Sequence, residues 1–286
     1  MDKIIKKNYN NYTLKLKEHN LNIGERTFIM GILNVTPDSF SDGGKFTDGE
    51  IALRHAKKMI EDGADIIDIG GESTRPGSKI VDAKEELSRV IPTLKKLVDN
   101  LNVPISVDTY KSEVALEALK NGAHMINDVW GLQRDEKLAN VVAKYDVPIC
   151  IMHNQEGTKY DKDIIESMKD FFVKSLDIAK KAGIKKENIL LDPGIGFGKT
   201  YKQNLIVMNR LSELNTLGFP ILLGTSRKSI IGKTLDLPPN ERVEGTIATN
   251  VIGIVNGTEI IRVHDIRENL RAVRVADVIL RGDFNG

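Results

Sequence analysis

Eight short apolar segments recur along the 286-residue chain, and they constrain its fold more than any other feature of the sequence. Most are apolar throughout instead of alternating with polar residues, which is typical of strands that are covered on both faces. The segments are Phe28–Leu33, Ile66–Ile69, Pro104–Val107, Met125–Ile126, Pro148–Met152, Ile189–Leu191, Pro220–Leu223 and Ile260–Val263.

Helical patterns lie between these segments, and several end in a glycine where a left-handed cap is needed before the next strand. The patterns cover Glu50–Glu61, Ala83–Asn100, Lys111–Asn121, Asp135–Tyr145, Ile164–Ala182, Gln203–Leu217, Glu241–Asn256 and Arg267–Leu280. Pro92 is expected to kink or divide the second of them. Strands and helices alternate eight times without a break in composition, which predicts a single (β/α)8 TIM barrel over residues 28–286. An open doubly wound sheet is the alternative architecture.

Residues 1–27 have no place in the eight repeated units and are predicted to form an N-terminal extension. Within it, Tyr12–Lys17 and a turn at Asn22–Glu25 are expected to form a small hairpin that covers the bottom of the barrel.

Charge and cysteine content restrict the partners and the compartment. The chain has 41 basic and 40 acidic side chains, a balance that argues against a nucleic-acid or membrane partner. The single Cys150 excludes an internal disulfide, and its apolar neighbours predict a buried hydrophobic side chain. No apolar run approaches the ~20 residues of a membrane span, and the Lys- and Asn-rich start lacks the apolar core of a secretory signal. We therefore expect a cytoplasmic enzyme that acts on small molecules.

Polar side chains follow all eight predicted strands, at the barrel end where active sites of this fold are built. One such residue often only caps a helix or turn, but capping does not require these residue types at every strand end. The strands are followed by Asn34, by Asp68 and then Glu72–Arg75, by Asp108, by Asn127 and Asp128, by His153, by Asp192, by Thr225–Lys228, and by Arg262 and His264.

These polar residues divide into two chemical groups. Asp108, Asn127 and Asp192 offer carboxylates and an amide that suit the edge of a flat nitrogen heterocycle. The second group offers cations and hydroxyls that suit a polyanion such as a diphosphate, namely Arg75, Ser226, Lys228, Arg262 and His264. The Asn34 side chain is an oxygen ligand suited to a Mg²⁺ ion that keeps most of its water.

Two segments rich in Gly, Pro and Ser follow the first two strands, NVTPDSFSDGGKFTDG and GGESTRPGSKIV. Their length and composition predict mobile lids over the barrel mouth, on which Phe40 and Pro76 could exclude water.

The segment Asp192–Thr200, DPGIGFGKT, raises the question of a nucleotide-binding loop. A P-loop requires Gly where Pro193 stands, and the dinucleotide pattern requires Gly where Lys199 stands. The segment therefore fails both motifs by one residue.

Several motifs together resemble the dihydropteroate synthase family of the folate pathway, from about Phe28 to the end of the chain. They are MGILNVTPDSFSDGG, DIGGESTRPGS, SVDTYK, INDVWG, LLDPGIGFGKT, GTSRKSIIG, ERVEGTIATN and RVHD. The resemblance implies a (β/α)8 barrel that is usually dimeric. It also implies an enzyme that joins 6-hydroxymethyl-7,8-dihydropterin diphosphate to p-aminobenzoate, a compound that sulfonamides mimic.

The resemblance implies roles for individual residues. Those that would bind the pterin are Asp108, Asn127, Asp192 and Lys228. Asn34 would hold Mg²⁺ and the diphosphate, and the other residues on the diphosphate side would be Thr74, Arg262 and His264. The p-aminobenzoate site would be lined by Phe40, Pro76, Phe197 and Ser229. Arg75 and Ser226 would shape the mouth of the barrel, and Asp42 would lie near the reacting carbon. The residues expected to act in catalysis are Asp42, Arg75 and Lys228.

Three other functions remain open at this stage. A pterin-binding methyltransferase barrel shares the Asp…Asn…Asp set but has no need of the cation clusters. A Schiff-base aldolase would use Lys228 as its nucleophile. A non-catalytic pterin-binding protein would not need a site for a leaving group.

Overall fold

The computed structural model describes residues 12–35, 48–72 and 81–282. Within them, eight parallel strands close into a barrel in the order β10-β3-β4-β5-β6-β7-β8-β9, and helices follow the strands. The predicted (β/α)8 TIM barrel is therefore confirmed. The strands are β3 (Phe28–Asn34), β4 (Ile66–Gly70), β5 (Ile105–Asp108), β6 (Met125–Asp128), β7 (Ile149–Met152), β8 (Ile189–Asp192), β9 (Ile221–Leu223) and β10 (Thr258–Val263).

All eight predicted strands are present, with small shifts at their ends. Pro104, Pro148 and Pro220 each lie just before a strand instead of in it, because proline has no N–H to donate to the sheet. Their carbonyls still take part, since the Pro104 oxygen accepts from the Ile67 N–H at 3.1 Å.

The helices are α1 (Asp48–Glu61), α2 (Ala83–Asn100), α3 (Ser112–Lys120), α4 (Leu138–Tyr145), α5 (Ile164–Ala182), α6 (Tyr201–Asn209), α7 (Ser229–Leu235), α8 (Val243–Val255) and α9 (Ile266–Arg281). The pattern predicted over Gln203–Leu217 is divided into α6 and a 3-10 turn at Leu211–Leu217, and α7 was not predicted. Helix α2 is not divided at Pro92. The Pro92 side chain is exposed, so water can reach the Ser88 carbonyl that loses its N–H partner there.

The N-terminal hairpin consists of β1 (Tyr12–Leu16) and β2 (His19–Ile23), which pair in antiparallel orientation. Its turn lies at Lys17 and Glu18, where Lys17 adopts a φ of 57°. The turn predicted at Asn22–Glu25 is also present, since the Glu25 N–H donates to the Asn22 carbonyl at 3.3 Å, but it follows β2 and does not join the two strands. The two turn residues place Leu16 opposite His19 and Leu14 opposite Leu21. In this register the apolar side chains of both strands lie on the same face of the hairpin.

That apolar face closes the bottom of the barrel, as predicted. It packs on inward-facing side chains of the barrel in one buried cluster: Leu14, Leu16, Leu21, Ile23, Phe28, Met30, Ile66, Met125, Cys150, Leu190, Leu222 and Ile260. Cys150 is fully buried as expected, and burial raises the pKa of its thiol. A separate, larger cluster fills the space between the outer face of the barrel and the helices.

Across the residues that the structure describes, no helix is both long enough and apolar enough to cross a membrane.

Candidate active site

The barrel interior changes from apolar to polar along four of its strands. Because side chains alternate between the two faces of a strand, residues two apart point to the same side. Inward-facing apolar residues at the bottom are therefore followed two positions later by polar ones, in the pairs Ile66 and Asp68, Met125 and Asn127, Leu190 and Asp192, and Ile260 and Arg262. The carboxyl end of the barrel is thus lined by polar groups.

The Arg262 guanidinium is held between two buried carboxylates. Its Nε donates to Asp68 Oδ2 at 2.6 Å, and its Nη2 donates to Asp108 Oδ2 at 2.8 Å. Burial alone would lower the pKa of Arg262, but Asp68 and Asp108 outweigh this effect and raise it, so the group stays charged. Asn127 Nδ2 donates to the same Asp68 oxygen at 3.3 Å.

Three buried oxygens in this cluster accept no hydrogen bond from any residue that the structure describes. They are Asp68 Oδ1, Asp108 Oδ1 and Asn127 Oδ1. Buried acceptors without donors are costly and rare in native proteins, so these atoms indicate a ligand that supplies N–H or O–H groups. Burial raises the pKa of Asp108 to about 7, with Arg262 acting in the opposite direction.

Lys228 lies beside Asp192 and next to the 192–200 loop. A methyl group placed on Gly224 would lie 3.7 Å from Lys228 Nζ and 3.9 Å from Asp192 Oδ2, so this glycine leaves an open space between them. Lys228 Nζ donates to the Ile195 carbonyl at 2.5 Å and lies 4.8 Å from the centroid of the Phe197 ring. Burial lowers the pKa of Lys228 to about 8, against the attraction of Asp192, and burial also raises the pKa of Asp192.

Ser226 and His264 form a pair at the ends of β9 and β10. Ser226 Oγ accepts from the His264 backbone N–H at 3.1 Å and lies 2.9 Å from His264 Nδ1. The two side chains therefore fix each other's orientation, and a neutral His264 whose Nδ1 accepts from the hydroxyl would carry its proton on Nε2. Arg227, which adopts a left-handed φ of 59°, is fixed by an ion pair with Asp265 and by Arg242, which donates to its carbonyl at 2.9 Å.

The 192–200 loop is not a phosphate-binding loop of the P-loop type. Lys199 turns back into the loop, where its ammonium donates to the Gly194 and Phe197 carbonyls at 2.9 and 3.0 Å. Thr200 caps α6 by accepting from the Gln203 N–H at 3.3 Å. Neither Lys199 nor Thr200 is available to hold a phosphate. This agrees with the sequence, in which the segment matches neither the P-loop motif nor the dinucleotide-binding motif.

The structure brings together most of the predicted site residues that it describes: Asp108, Asn127, Asp192, Phe197, Ser226, Lys228, Arg262 and His264. Asn34 ends β3 on the same rim, opposite Gly70, and is half-buried. Ser229 begins α7 and is exposed. The remaining predicted residues lie outside the described part of the chain: Phe40, Asp42, Thr74, Arg75 and Pro76.

Asp68 was predicted to lie at the rim, but no role was predicted for it. Its side chain is fully buried and joins Arg262 to Asn127. A sequence signal for its role was available, because Asp68 is a carboxylate within the apolar run Ile66–Ile69 and faces the barrel interior.

Asn34 offers one amide oxygen on this rim, a ligand type that suits a hydrated Mg²⁺. The described residues contain one cluster of three His, Cys, Asp or Glu ligands, formed by Glu18, His19 and His124 at the opposite end of the barrel. His124 Nδ1 accepts from the Ile105 N–H at 3.1 Å, so a neutral His124 carries its proton on Nε2, the atom that faces Glu18. That tautomer is a donor to the carboxylate and does not bind a metal ion through Nε2.

Comparison with known proteins agrees with this geometry. The sequence profile of the pterin-binding enzymes matches residues 30–264. The chain is 56% identical over 269 residues to dihydropteroate synthase of Clostridium beijerinckii, covering 94% of this chain and 100% of the relative. The chain belongs to the dihydropteroate synthase family. A second member, from Bacillus subtilis, is 55% identical over 91% of each chain.

Solved structures of the family have the same fold. The enzyme of Clostridium difficile, crystallised in the presence of pteroic acid, superposes with a TM-score of 0.90 at 62% identity, covering 91% of this chain and 99% of that one. The enzyme of Xanthomonas albilineans, crystallised with 4-aminobenzoic acid, also gives a TM-score of 0.90, at 40% identity and with 94% and 98% coverage.

Proposed function

We infer that this chain is a transferase that condenses 6-hydroxymethyl-7,8-dihydropterin diphosphate with p-aminobenzoate. The products are 7,8-dihydropteroate and pyrophosphate, and the reaction belongs to folate biosynthesis. Membership of the dihydropteroate synthase family supports this function. The observation that carries it is the set of buried, unfilled acceptors on Asp68, Asp108 and Asn127 beside Arg262. These acceptor oxygens suit the amino and ring N–H donors of a pterin.

We propose that the pterin lies across the barrel mouth between two groups of acceptors. Asp108 and Asn127 would accept from one part of the ring, and Asp192 from another, with Lys228 donating to the ring oxygen or nitrogen between them. Asp192 is prepared for this role, because its Oδ1 accepts from the Gly194 N–H at 2.7 Å and its orientation is thereby fixed. Arg262 offsets part of the charge of the two carboxylates that hold it.

Bond breaking at the exocyclic carbon is the main step that the site must assist. The electron-rich ring can stabilise positive charge on that carbon, so the diphosphate can leave before the amine attacks. Ser226 and His264 are paired just beyond β9 and β10, and Arg262 lies two residues before His264 on β10. These three residues would stabilise the leaving group electrostatically. The aniline nitrogen of p-aminobenzoate is neutral at pH 7, so no strong general base is required.

We assign the remaining predicted residues by family resemblance. Phe197 and Ser229 would contact p-aminobenzoate, together with Phe40 and Pro76. On the lids, Asp42 would approach the reacting carbon, and Thr74 and Arg75 would face the diphosphate and the mouth.

Mg²⁺ is the proposed cofactor, held by Asn34 and by the diphosphate oxygens. One amide oxygen from the protein is a donor set suited to a hydrated ion that arrives with the substrate. When bound, Mg²⁺ would neutralise part of the diphosphate charge and so favour its departure.

We also propose a homodimer formed through α8 and α9. These helices pack against each other, and together they expose five aliphatic side chains, Ile252, Val255, Val275, Val278 and Ile279. On α9, three of these residues are spaced by three and four positions and therefore share one face. An apolar face of this kind suits a second copy of the chain in a two-fold interface. A cytoplasmic location is proposed as well, since the single Cys150 thiol is buried and suits a reducing compartment.

The function is tested by measuring pyrophosphate release when both substrates and Mg²⁺ are supplied. We expect release that depends on both substrates and falls when EDTA removes Mg²⁺. Release from the pterin substrate without incorporation of p-aminobenzoate would contradict a synthase. A borohydride-stable adduct on Lys228 would instead support a Schiff-base enzyme, and mass spectrometry would detect it.

A further inference from the structure

The 192–200 loop contains a tight turn that carries two groups next to Lys228. The Phe197 N–H donates to the Gly194 carbonyl at 3.0 Å, which closes a four-residue turn over Gly194–Phe197. Gly196, the third residue of the turn, has a φ of 88°, and Ile195 has a negative φ, as a type II turn requires. The middle peptide of this turn points the Ile195 carbonyl at Lys228, and its last residue supplies the Phe197 ring.

A type II turn can change by rotation of its middle peptide, so its orientation has to be fixed by neighbours. The Gly196 N–H, in the middle of the turn, donates to Asn204 Oδ1 at 2.7 Å. Lys199 Nζ donates to the carbonyls of both end residues, Gly194 at 2.9 Å and Phe197 at 3.0 Å. Lys199 therefore joins the two ends of the turn.

The third donor of Lys199 is matched by His153. Lys199 Nζ lies 2.8 Å from His153 Nδ1, and both side chains are buried. Burial lowers the pKa of His153 well below its usual range, with Lys199 acting in the same direction, so the ring is neutral and Nδ1 can accept. Burial lowers the pKa of Lys199 to about 7, against the attraction of Asp192, so the charged form predominates below that pH. In that form the ammonium has three N–H donors, and each has one acceptor here. The His153 ring is itself fixed against Tyr160 and Phe171.

The backbone of Gly194, the first residue of the turn, packs directly against the backbone of His153. Its φ is 64°, and a Cβ at this position would lie 2.0 Å from the His153 carbonyl oxygen. The strand end that carries His153 and the turn that carries Phe197 are therefore in direct contact, and Lys199 is bonded to both.

We propose that Lys199, together with His153, is a positioning residue for the condensation. Its ammonium fixes the Gly194–Phe197 turn so that the Phe197 ring and the Ile195 carbonyl stand next to Lys228. Lys199 itself touches no substrate. This inference rests on the proposed function, in which Phe197 contacts p-aminobenzoate.

The test is a double-mutant cycle between Lys199→Met and Phe197→Ala, read out as the KM for p-aminobenzoate. Methionine is an unbranched side chain only one atom shorter than lysine, and it removes all three donors. We expect each single variant to raise this KM by about tenfold, and the double variant to resemble Phe197→Ala alone within about twofold, because coupled residues are not additive. A role in folding alone would leave the KM of Lys199→Met unchanged, and an effect on the site that is independent of Phe197 would make the two effects multiply.

Thr200→Ala is the matched control, since it removes the cap of α6 beside the loop without touching the turn. It should lower the melting temperature and leave the KM for p-aminobenzoate unchanged. If Lys199→Met does not fold, His153→Phe replaces it in the cycle; it removes one acceptor, keeps an aromatic ring, and should raise the KM by about threefold.

An unchanged KM in Lys199→Met, or multiplying effects in the double variant, would overturn the inference while leaving an active synthase intact. An inactive wild-type enzyme would instead overturn the proposed function and this inference with it.

Discussion

At the scale of single residues, the site is built from charges that are buried but not fully neutralised by the protein. Arg262 and Lys228 face three inward carboxylates, Asp68, Asp108 and Asp192, and three acceptor oxygens await donors. Such an arrangement is costly in the free protein and favourable once a ligand supplies N–H groups. It predicts that ligand binding is linked to protonation.

The linkage is expected at Asp108, whose pKa burial raises to about 7. Below this pH the free protein holds a proton there, whereas a pterin that donates to Asp108 requires the ionised carboxylate. Pterin binding at about pH 6 should therefore release a proton, and the release from Asp108 should disappear about two pH units higher, where the carboxylate is already ionised.

Calorimetry in two buffers with different ionisation enthalpies measures this release. The Asp108→Asn variant should not release this proton at about pH 6. Any proton release that remains in the variant comes from the other titrating groups near the ring, so the variant serves as the matched control. Equal proton release in wild type and Asp108→Asn would show that Asp108 does not bind the pterin.

A second prediction at this scale concerns Asp192. Asp192→Asn keeps an oxygen that can accept from the Gly194 N–H but replaces the second carboxylate oxygen by a donor. Pterin affinity should fall by about 10- to 100-fold, or about 1.4 to 2.8 kcal/mol, with little change in folding. Titration calorimetry with a pterin measures the effect, and unchanged affinity would remove Asp192 from the proposed pocket.

At the scale of elements, the two ends of the barrel have separate tasks. The hairpin β1–β2 closes the bottom with Leu14 and Leu16, both fully buried, while the polar strand ends form the site at the top. Stability and function should therefore be separable by mutation.

Leu14→Ala tests this separation. It should lower the free energy of unfolding by about 2 to 5 kcal/mol, because it leaves a cavity in the bottom cluster. Both KM values should stay unchanged, since the substrates bind at the other end. Lys15→Ala, on the exposed face of the same strand, is the control and should change stability by less than about 0.5 kcal/mol. Denaturant unfolding and steady-state kinetics provide the two readouts, and a changed KM in Leu14→Ala would contradict the division.

At the scale of the whole molecule, the unusual surface is the aliphatic face of α8 and α9. Val278 is 63% exposed, and its neighbours on the same face are exposed to a similar degree. If this face is the dimer interface, its apolar area is covered in solution.

Val278→Asp should therefore convert the dimer into a monomer, because a buried interface would have to desolvate two carboxylates across the two-fold axis. Val173→Asp on α5 is the matched control, since Val173 is 59% exposed on another helix. Analytical ultracentrifugation should give the monomer mass for the first variant and the dimer mass for the second. A dimeric Val278→Asp protein would place the interface elsewhere.

The sequence alone determined the architecture and most of the site residues. Eight apolar segments alternating with helical patterns are sufficient for the barrel, since strands of this kind must be covered on both faces. The fold then places every strand end on one rim, so Asp108, Asn127, Asp192 and Arg262 could be chosen from their positions alone. The hairpin was also predictable, although its turn was placed too late, because Asn22–Glu25 has turn-forming residues and Lys17–Glu18 does not.

Only the tertiary structure decided how these residues are paired. Arg262 bonds to Asp68 and Asp108, which lie 194 and 154 positions away in the chain, and no local pattern encodes a partner at such a distance. The same holds for Lys199, which the sequence presents as the lysine of a phosphate-binding motif. Its ammonium instead turns inward to His153, 46 positions earlier, and to two carbonyls of its own loop. A buried charge takes the acceptors that the fold brings within reach, and those are set by the packing of neighbouring strands.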